Sequence, residues 1–258
     1  MSISIEQVKE LRDQTGVSIM QCKKALEEAD GDFEKALIVL KKKSGAAAAK
    51  KADRDAQDGI IVIKGDDSRS LILTLHCETD FVAKNEDFQA LANELADKAF
   101  ADGAEAMKEI SEEKIAEGIQ KVGENIQLGE VSEITGTVVG AYNHNGKNTA
   151  VVALSGGSAD LAKDIAMQIT AMRPAYMSES EIPQEAKDKA QELFEEELAK
   201  EDKPEEMKAK ILEGKLNSYF KDQVLMSQSF IKDPSKTVTQ LLKEAGDVTI
   251  ESYKVQSI

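Results

Sequence analysis

Gly136-Thr-Val-Val-Gly-Ala-Tyr142, a turn holding Asn145-Gly146, and Ala150-Val-Val-Ala-Leu154 make two apolar runs joined by a strong hairpin signal. Asn-Gly is such a signal because both residues tolerate positive φ. The same unit occurs earlier as Gly59-Ile-Ile-Val-Ile-Lys64, a polar turn over residues 65–69, and Leu71-Ile-Leu-Thr-Leu75. An amphipathic helix follows each hairpin, carrying Phe88, Leu91, Ala92, Leu95 and Ala99 in the first copy and Leu161, Ile165 and Ile169 in the second. This duplication predicts an α+β fold whose core is two similar β-hairpin-plus-helix subdomains, residues 59–135 and residues 136–181 with 227–258.

Working outward, residues 1–45 read as three short helices. Ser4 with Gln7 and Ser18 with Gln21 fit capping boxes, Asp32 fits an N-cap, and Gly16 and Gly31 stand where helices stop. Apolar stripes follow at helical spacing: Ile5, Val8 and Leu11, then Ile19, Cys22, Leu26 and Ala29, then Phe33, Ala36, Leu37 and Leu40. The third helix is expected to end near Ser44-Gly45, leaving 46–58 as a helical or flexible linker. Residues 112–122 supply a helix between the core halves. Residues 182–226 read as two highly charged helices joined at Glu201-Asp-Lys-Pro204, an inserted antiparallel hairpin. Its expected seam sets Leu193, Phe194 and Leu198 against Ile211, Leu212 and Leu216. A helix over 235–245 and a strand over 248–255, completing the second sheet, close the chain.

Composition narrows the function. The 258 residues are 41% hydrophobic and 31% charged, enough apolar surface for packed cores, and aromatics are scarce at 4% with no Trp. A net charge of −15 disfavours direct nucleic-acid binding, which draws its affinity from Lys and Arg on phosphates. The charge is uneven: residues 179–213 carry 6 Lys/Arg against 13 Asp/Glu, and residues 1–54 carry 11 against 9. The acidic block reads as a solvated helical face. Cys22 and Cys77 are the only cysteines and sit in apolar segments, which predicts buried thiols. The N-terminal residues lack a signal-peptide core, and no apolar run is long enough to span a bilayer, so a cytoplasmic protein without membrane contact is expected.

Catalytic patterns do not emerge. His76 and His144 are the only histidines, and neither stands in zinc-ligand spacing. Gly146-Lys147 lacks the Ser/Thr and the Gly register of a phosphate loop, and Ser155-Gly-Gly-Ser158 is explained by a turn and an N-cap. The expectation is a non-enzyme with no cofactor and no metal.

One segment is odd. Thr79-Asp80-Phe81-Val82 lies between a strand and a helix, where a polar turn is expected, yet it presents a large aromatic. Phe81 precedes Phe88 by seven residues, so it could instead extend the buried stripe. Met20 is equally ambiguous, lying beside the Ile19–Cys22–Leu26 stripe.

Cys77-Glu-Thr-Asp-Phe-Val-Ala-Lys84 is similar to the strand-to-helix signature of the elongation factor Ts family. The likeness extends along the chain. Leu11-Arg-Asp-Gln-Thr-Gly16, Met20-Gln-Cys-Lys-Lys-Ala-Leu26 and Gly31-Asp32 resemble that family's N-terminal module, a ubiquitin-associated-type (UBA-like) three-helix fold. Val122-Gly-Glu-Asn-Ile126, Asp233-Pro-Ser-Lys-Thr-Val238 and Gln240-Leu-Leu-Lys-Glu244 resemble further family segments, in the expected order. Taken alone, residues 1–45 would suit a ubiquitin-fold or nascent-chain binding module equally well.

The resemblance implies a guanine-nucleotide exchange factor in translation, whose partner is the GTPase elongation factor Tu. In the family, Thr-Asp-Phe-Val disturbs magnesium coordination in that partner, with the Phe wedging into its nucleotide domain. Carried over, Thr79, Asp80, Phe81 and Val82 form the Mg²⁺-dislocating segment, with Phe81 the wedge and Asp80 its polar companion. Met20, Lys23, Val122, Gly123, His144 and Ile231 match partner-contact positions, and the helical hairpin is a candidate homodimer surface. Two departures stand out: some relatives carry a further C-terminal helix beyond the last strand, whereas this sequence ends at Ile258, and Lys232 stands where some relatives have an apolar residue.

Overall fold

A computed structural model describes residues 3–201 and 203–258. Met1 and Ser2 of the expected first module, and Asp202 of the expected hairpin turn, lie outside the described residues. The chain divides into two compact units. The first takes the residues up to Glu133 with Asn145–Asn148 and Gln256–Ile258, and the second takes Ile134–His144 and Thr149–Val255.

The first unit begins with α1 (Ile5–Thr15), α2 (Ile19–Glu28) and α3 (Phe33–Lys51). Both capping boxes form, and the Asp32 carboxylate accepts from the Lys35 amide. Val8, Leu11, Val17, Cys22, Ala25, Leu26, Ala36 and Leu40 share one small core. The residue that opens each of the first two stripes is not part of it: Ile5 and Ile19 are both exposed. Each is the first residue of its helix and lies outside this small core. The third helix differs more. It does not stop at Ser44-Gly45 but runs on through residues 46–51, the start of the expected linker. The Ala run has the highest helix propensity, which offsets the cost of about 1 kcal/mol for Gly45. Tertiary packing holds the extension, since Ser44 is buried and Ala48 packs against the core of the first sheet.

That sheet contains β1 (Asp58–Gly65), β2 (Arg69–Cys77) and, later in the chain, β3 (Ile126–Thr135), in the order β1-β2-β3. β1 and β2 pair antiparallel, from Asp58 opposite Cys77 to Gly65 opposite Ser70. Leu71, Leu73, Leu75 and Cys77 alternate onto one face, as a period of two requires. Against it lie the one-turn helix α4 (Asp80–Ala83) and α5 (Glu86–Asp102), and α6 (Ala104–Val122) packs on α5 and α3. Phe88, Leu91, Ala92, Leu95, Ala96 and Ala99 of α5 enter this core with Met107 and Ile119 of α6. β3 is absent from the sequence reading for a physical reason. Ile126, Leu128 and Val131 all face the core, and the step from two to three residues at Gly129-Glu130 destroys the alternation.

The second unit repeats the plan. β4 (Val138–His144), β5 (Asn148–Leu154) and β8 (Ile250–Ser257) form a sheet in the order β4-β5-β8, packed against α7 (Ala159–Met172). As in the first sheet, the hairpin's second strand is central. Ala150, Val152 and Leu154 pack against Ala162, Ile165, Ala166 and Ile169. The β4–β5 turn carries Asn145 at φ 55° and Gly146 at φ 70°, the left-handed geometry that the Asn-Gly pair predicts. Before β8 come the short strands β6 (Ser229–Phe230) and β7 (Asp233–Thr237), then α10 (Val238–Glu244). Residues 235–237, expected as helix, are therefore strand. The helix starts one residue after Thr237, which forms a capping box with Gln240.

Between α7 and β6 stand the hairpin helices α8 (Gln184–Ala199) and α9 (Glu205–Lys221). Ala190 and Leu198 are buried in their seam, Phe194 meets the Tyr219 ring edge-on at 5.6 Å, and Lys215 pairs with Glu197. Leu193, expected in the seam, is exposed, because Ala190, Phe194 and Leu198 at four-residue steps occupy the inner face. Both ends of the insert meet: the Leu225 amide donates to the Tyr176 carbonyl at 2.9 Å and the Met226 amide to the Met177 carbonyl at 3.1 Å. Among the described residues no hairpin-helix side chain belongs to the core around β5, which predicts a separable insert. Replacing residues 184–221 with a short Gly/Ser linker should leave the second unit folded, with the melting temperature moved by less than about 4 °C, the equivalent of about 1 kcal/mol. Near-UV circular dichroism checks this, and a molten product would place the hairpin inside the core.

Candidate functional site

β2 ends at Cys77, and the chain must then turn into α5. Thr79 is extended, and its hydroxyl caps α4 by accepting from the Val82 amide at 3.4 Å. One helical turn has room for two anchoring side chains, here Val82 and Ala83, which pack into the core of the first sheet. Asp80 and Phe81 must then face outward. Phe81 is 82% exposed, whereas Phe88, one heptad on, is 1% exposed. The expected polar turn is thus a helical turn, and Phe81 does not extend the buried stripe. Asp80 pairs with Lys84 at 2.7 Å, four residues on in the chain.

A second loop supports the first. α6 ends at Gly123, whose φ of 83° is the left-handed cap that turns the chain sharply and directs Glu124 back toward residues 78–79. The Glu124 carboxylate accepts from the Glu78 amide at 3.2 Å, the Thr79 amide at 3.0 Å and the Thr79 hydroxyl at 2.7 Å. In return the Glu78 carboxylate accepts from the Asn125 amide at 2.6 Å and from the Arg54 guanidinium at 3.4 Å. Asn125 is buried and donates its side-chain amide to the Arg54 carbonyl at 2.7 Å, while Lys51, at the end of α3, donates to the Gly123 carbonyl. The Asn125 amide, followed by Arg54 and Lys51, holds the Glu78 carboxyl below the usual carboxylate range. Burial pushes the Cys77 thiol up to about 12, with Asp58 and Glu124 adding to it. A thiol so protonated is not a nucleophile at neutral pH. Cys22 is buried too, and its thiol is also raised by desolvation.

Thr79–Val82 and Val122–Gly123 are therefore brought together, with Val122 half-buried against the same core. Met20 and Lys23 lie elsewhere in this unit, three residues apart on one face of α2. Met20 is 62% exposed, and Lys23 is exposed beside Glu27 at 3.7 Å. The remaining two residues belong to the second unit. His144 is exposed at the end of β4, with Nδ1 3.2 Å from the Tyr142 hydroxyl. Ile231 is half-buried in the β6–β7 turn, where its amide donates to the buried Gln168 side chain at 2.8 Å. Glu78, Glu124 and Asn125 lie inside the segments Cys77–Lys84 and Val122–Ile126 that resemble the family, but the sequence shows no bond between them or to Arg54, since their relation exists only once two loops far apart in the chain meet.

No group of three or more His, Cys, Asp or Glu side chains among the described residues is arranged to hold a metal ion. Among the same residues no helix is long and apolar enough to cross a membrane.

Comparison with known proteins accords with this architecture. The family model described as Elongation factor TS matches residues 78–257. The elongation factor Ts of Hahella chejuensis is 42% identical over 252 residues, covering 95% of this chain and 88% of the relative. That of Chloroherpeton thalassium is 42% identical over 266 residues, covering 95% and 92%. That of a Hydrogenobaculum species is 38% identical over 267 residues, covering 98% and 97%. Aligned over nearly its whole length with these translation factors, the chain belongs to the elongation factor Ts family.

Proposed function

We propose that the protein is the nucleotide-exchange factor for the GTPase elongation factor Tu, and that it acts by inserting Phe81 beside the partner's Mg²⁺ and nucleotide site. The observation that carries this reading is the exposure of Phe81 on a helical turn that Val82 and Ala83 anchor in the core. With the backbone that carries it anchored, an exposed aromatic ring has few torsions left to lose on entering a pocket, and such residues dominate interface energies. The surface pair of Asp80 with Lys84 is worth little in water, so Asp80 can exchange that partner for one on the GTPase at small cost.

No covalent step is required of this chain. Bound GDP in such GTPases is held jointly by phosphate-cradling backbone and Mg²⁺. If Phe81 fits the partner better once that site is distorted, the factor and GDP bind antagonistically, and each weakens the other by the same factor. Thr79 and Val82 set the wedge in place, and Met20, Lys23, Val122, Gly123, His144 and Ile231 supply further contacts. Because the factor is released unchanged, substoichiometric amounts should discharge fluorescent GDP from elongation factor Tu when free GTP is in excess. A GDP release rate identical with and without the chain would sink the proposal.

A further inference from the structure

We propose that Glu124 is a positioning residue for exchange: through its two carboxylate oxygens it fixes the direction in which Phe81 leaves the surface. This inference rests on the reading of Phe81 as the ring that enters the partner. Phe81 makes no hold of its own on the body of the protein, being 82% exposed. Its direction follows from the residues on either side. Val82 and Ala83 anchor the C-terminal side in the core. On the N-terminal side the backbone amides of Glu78 and Thr79 and the Thr79 hydroxyl all end on Glu124. Three donors converging on one ionised acceptor are charge-assisted bonds, stronger and geometrically stricter than neutral ones. Thr79 is also the cap of α4, so a shift of Thr79 reorients the single turn that carries Phe81.

The site extends beyond a local turn. Glu78 returns the interaction by accepting from the Asn125 amide, and Arg54, just beyond α3, donates its guanidinium to Glu78 and accepts at its carbonyl from the Asn125 side chain. Lys51, the last residue of α3, reaches the Gly123 carbonyl. Since α3 also carries Ala36 and Leu40 of the three-helix core, the polar network joins the Phe81 loop to the helix on which α2, the carrier of the exposed Met20 and Lys23, packs. Positioning by Glu124 thus presents the ring at a set offset from the rest of this unit's contact surface, a pre-organisation that lowers the entropy lost on binding.

The chemistry of the contact defines the test. Both backbone amides donate to Oε2, and the hydroxyl donates to Oε1. In Glu124→Gln one oxygen still receives both amides, and the new amide nitrogen can donate to the Thr79 hydroxyl, reversing that bond. Glu124→Asp keeps the charge but withdraws the acceptors by one methylene. Positioning predicts the order native, then Gln, then Asp with Ala, whereas a purely electrostatic role predicts Asp above Gln. Maximal GDP release from elongation factor Tu, measured at saturating factor, should fall about tenfold in Glu124→Ala and Glu124→Asp, the equivalent of about 1.4 kcal/mol and of one charge-assisted bond. Glu124→Gln should stay within about threefold of native, and the factor concentration giving half the effect should change by less than about threefold in every folded variant.

The inference is overturned if Asp exceeds Gln, if Glu124→Ala retains the native maximal rate, or if the rate falls only in proportion to a lowered melting temperature. Should the Ala variant fail to fold, the Asp and Gln pair decides alone. Phe81→Ala is run beside them. A native rate in that variant refutes the underlying reading of Phe81, whereas a slowed Phe81→Ala beside an unaffected Glu124 series refutes the positioning role alone.

Discussion

Phe81→Ala is expected to reduce exchange on elongation factor Tu by about thirtyfold or more, the equivalent of the 2 kcal/mol that an aromatic anchor at the centre of an interface typically carries. The same substitution should leave the melting temperature nearly unchanged, because the ring is 82% exposed and its removal opens no cavity. Stopped-flow measurement of GDP release, paired with a thermal melt, separates the two effects. A variant that melts several degrees lower yet exchanges normally would mean that Phe81 serves packing, and the wedge would have to be sought elsewhere.

Phe88→Ala should do the reverse. Phe88 is 1% exposed and lies among Leu91, Leu95 and the inward residues of β2. Truncating it leaves a cavity that the surrounding side chains fill only in part, at a cost of about 3–5 kcal/mol. For a chain of this size that corresponds to a drop of about 10 °C in melting temperature. Exchange per folded molecule should be little changed, since Phe88 is the fifth residue after the end of α4 and faces away from solvent. Chemical denaturation followed at the first unit checks the stability, and exchange activity corrected for the folded fraction checks the function. A large loss of activity at full folding would show that α5 transmits strain to the Phe81 turn.

These two phenylalanines also mark the limit of what sequence alone determines here. Seven residues apart, both satisfy the periodicity of a buried helical stripe, and spacing could not separate them. The structure does so through a local event, the interruption of helix between α4 and α5, where Asn85 caps α5 by accepting from the Asp87 and Phe88 amides. The break removes Phe81 from the phase of Phe88. Leu193 in the hairpin, and Ile5 and Ile19 at the starts of their helices, are further apolar residues whose spacing predicts burial and whose surroundings do not provide it.

Local chemistry was legible throughout. The capping boxes at Ser4 and Ser18, the Asp32 cap, the Asn145-Gly146 turn and the two hairpin-plus-helix units depend on residues within a few positions of each other, so their energetics are present in the chain itself. The residues singled out from the family signature likewise include the exposed ring. Tertiary structure decided the rest. α3 continues past Gly45 because Ser44 is buried and Ala48 packs half-buried against the first core, places that no local propensity reveals. β3 joins the first sheet because its partner strand accepts a broken alternation. The support of Phe81 by Glu124, like the bond that Glu78 accepts from the Asn125 amide, spans more than forty positions of chain. Such bonds reward no segment in isolation, and their stabilisation appears only after the core has paid the entropy of bringing distant loops together.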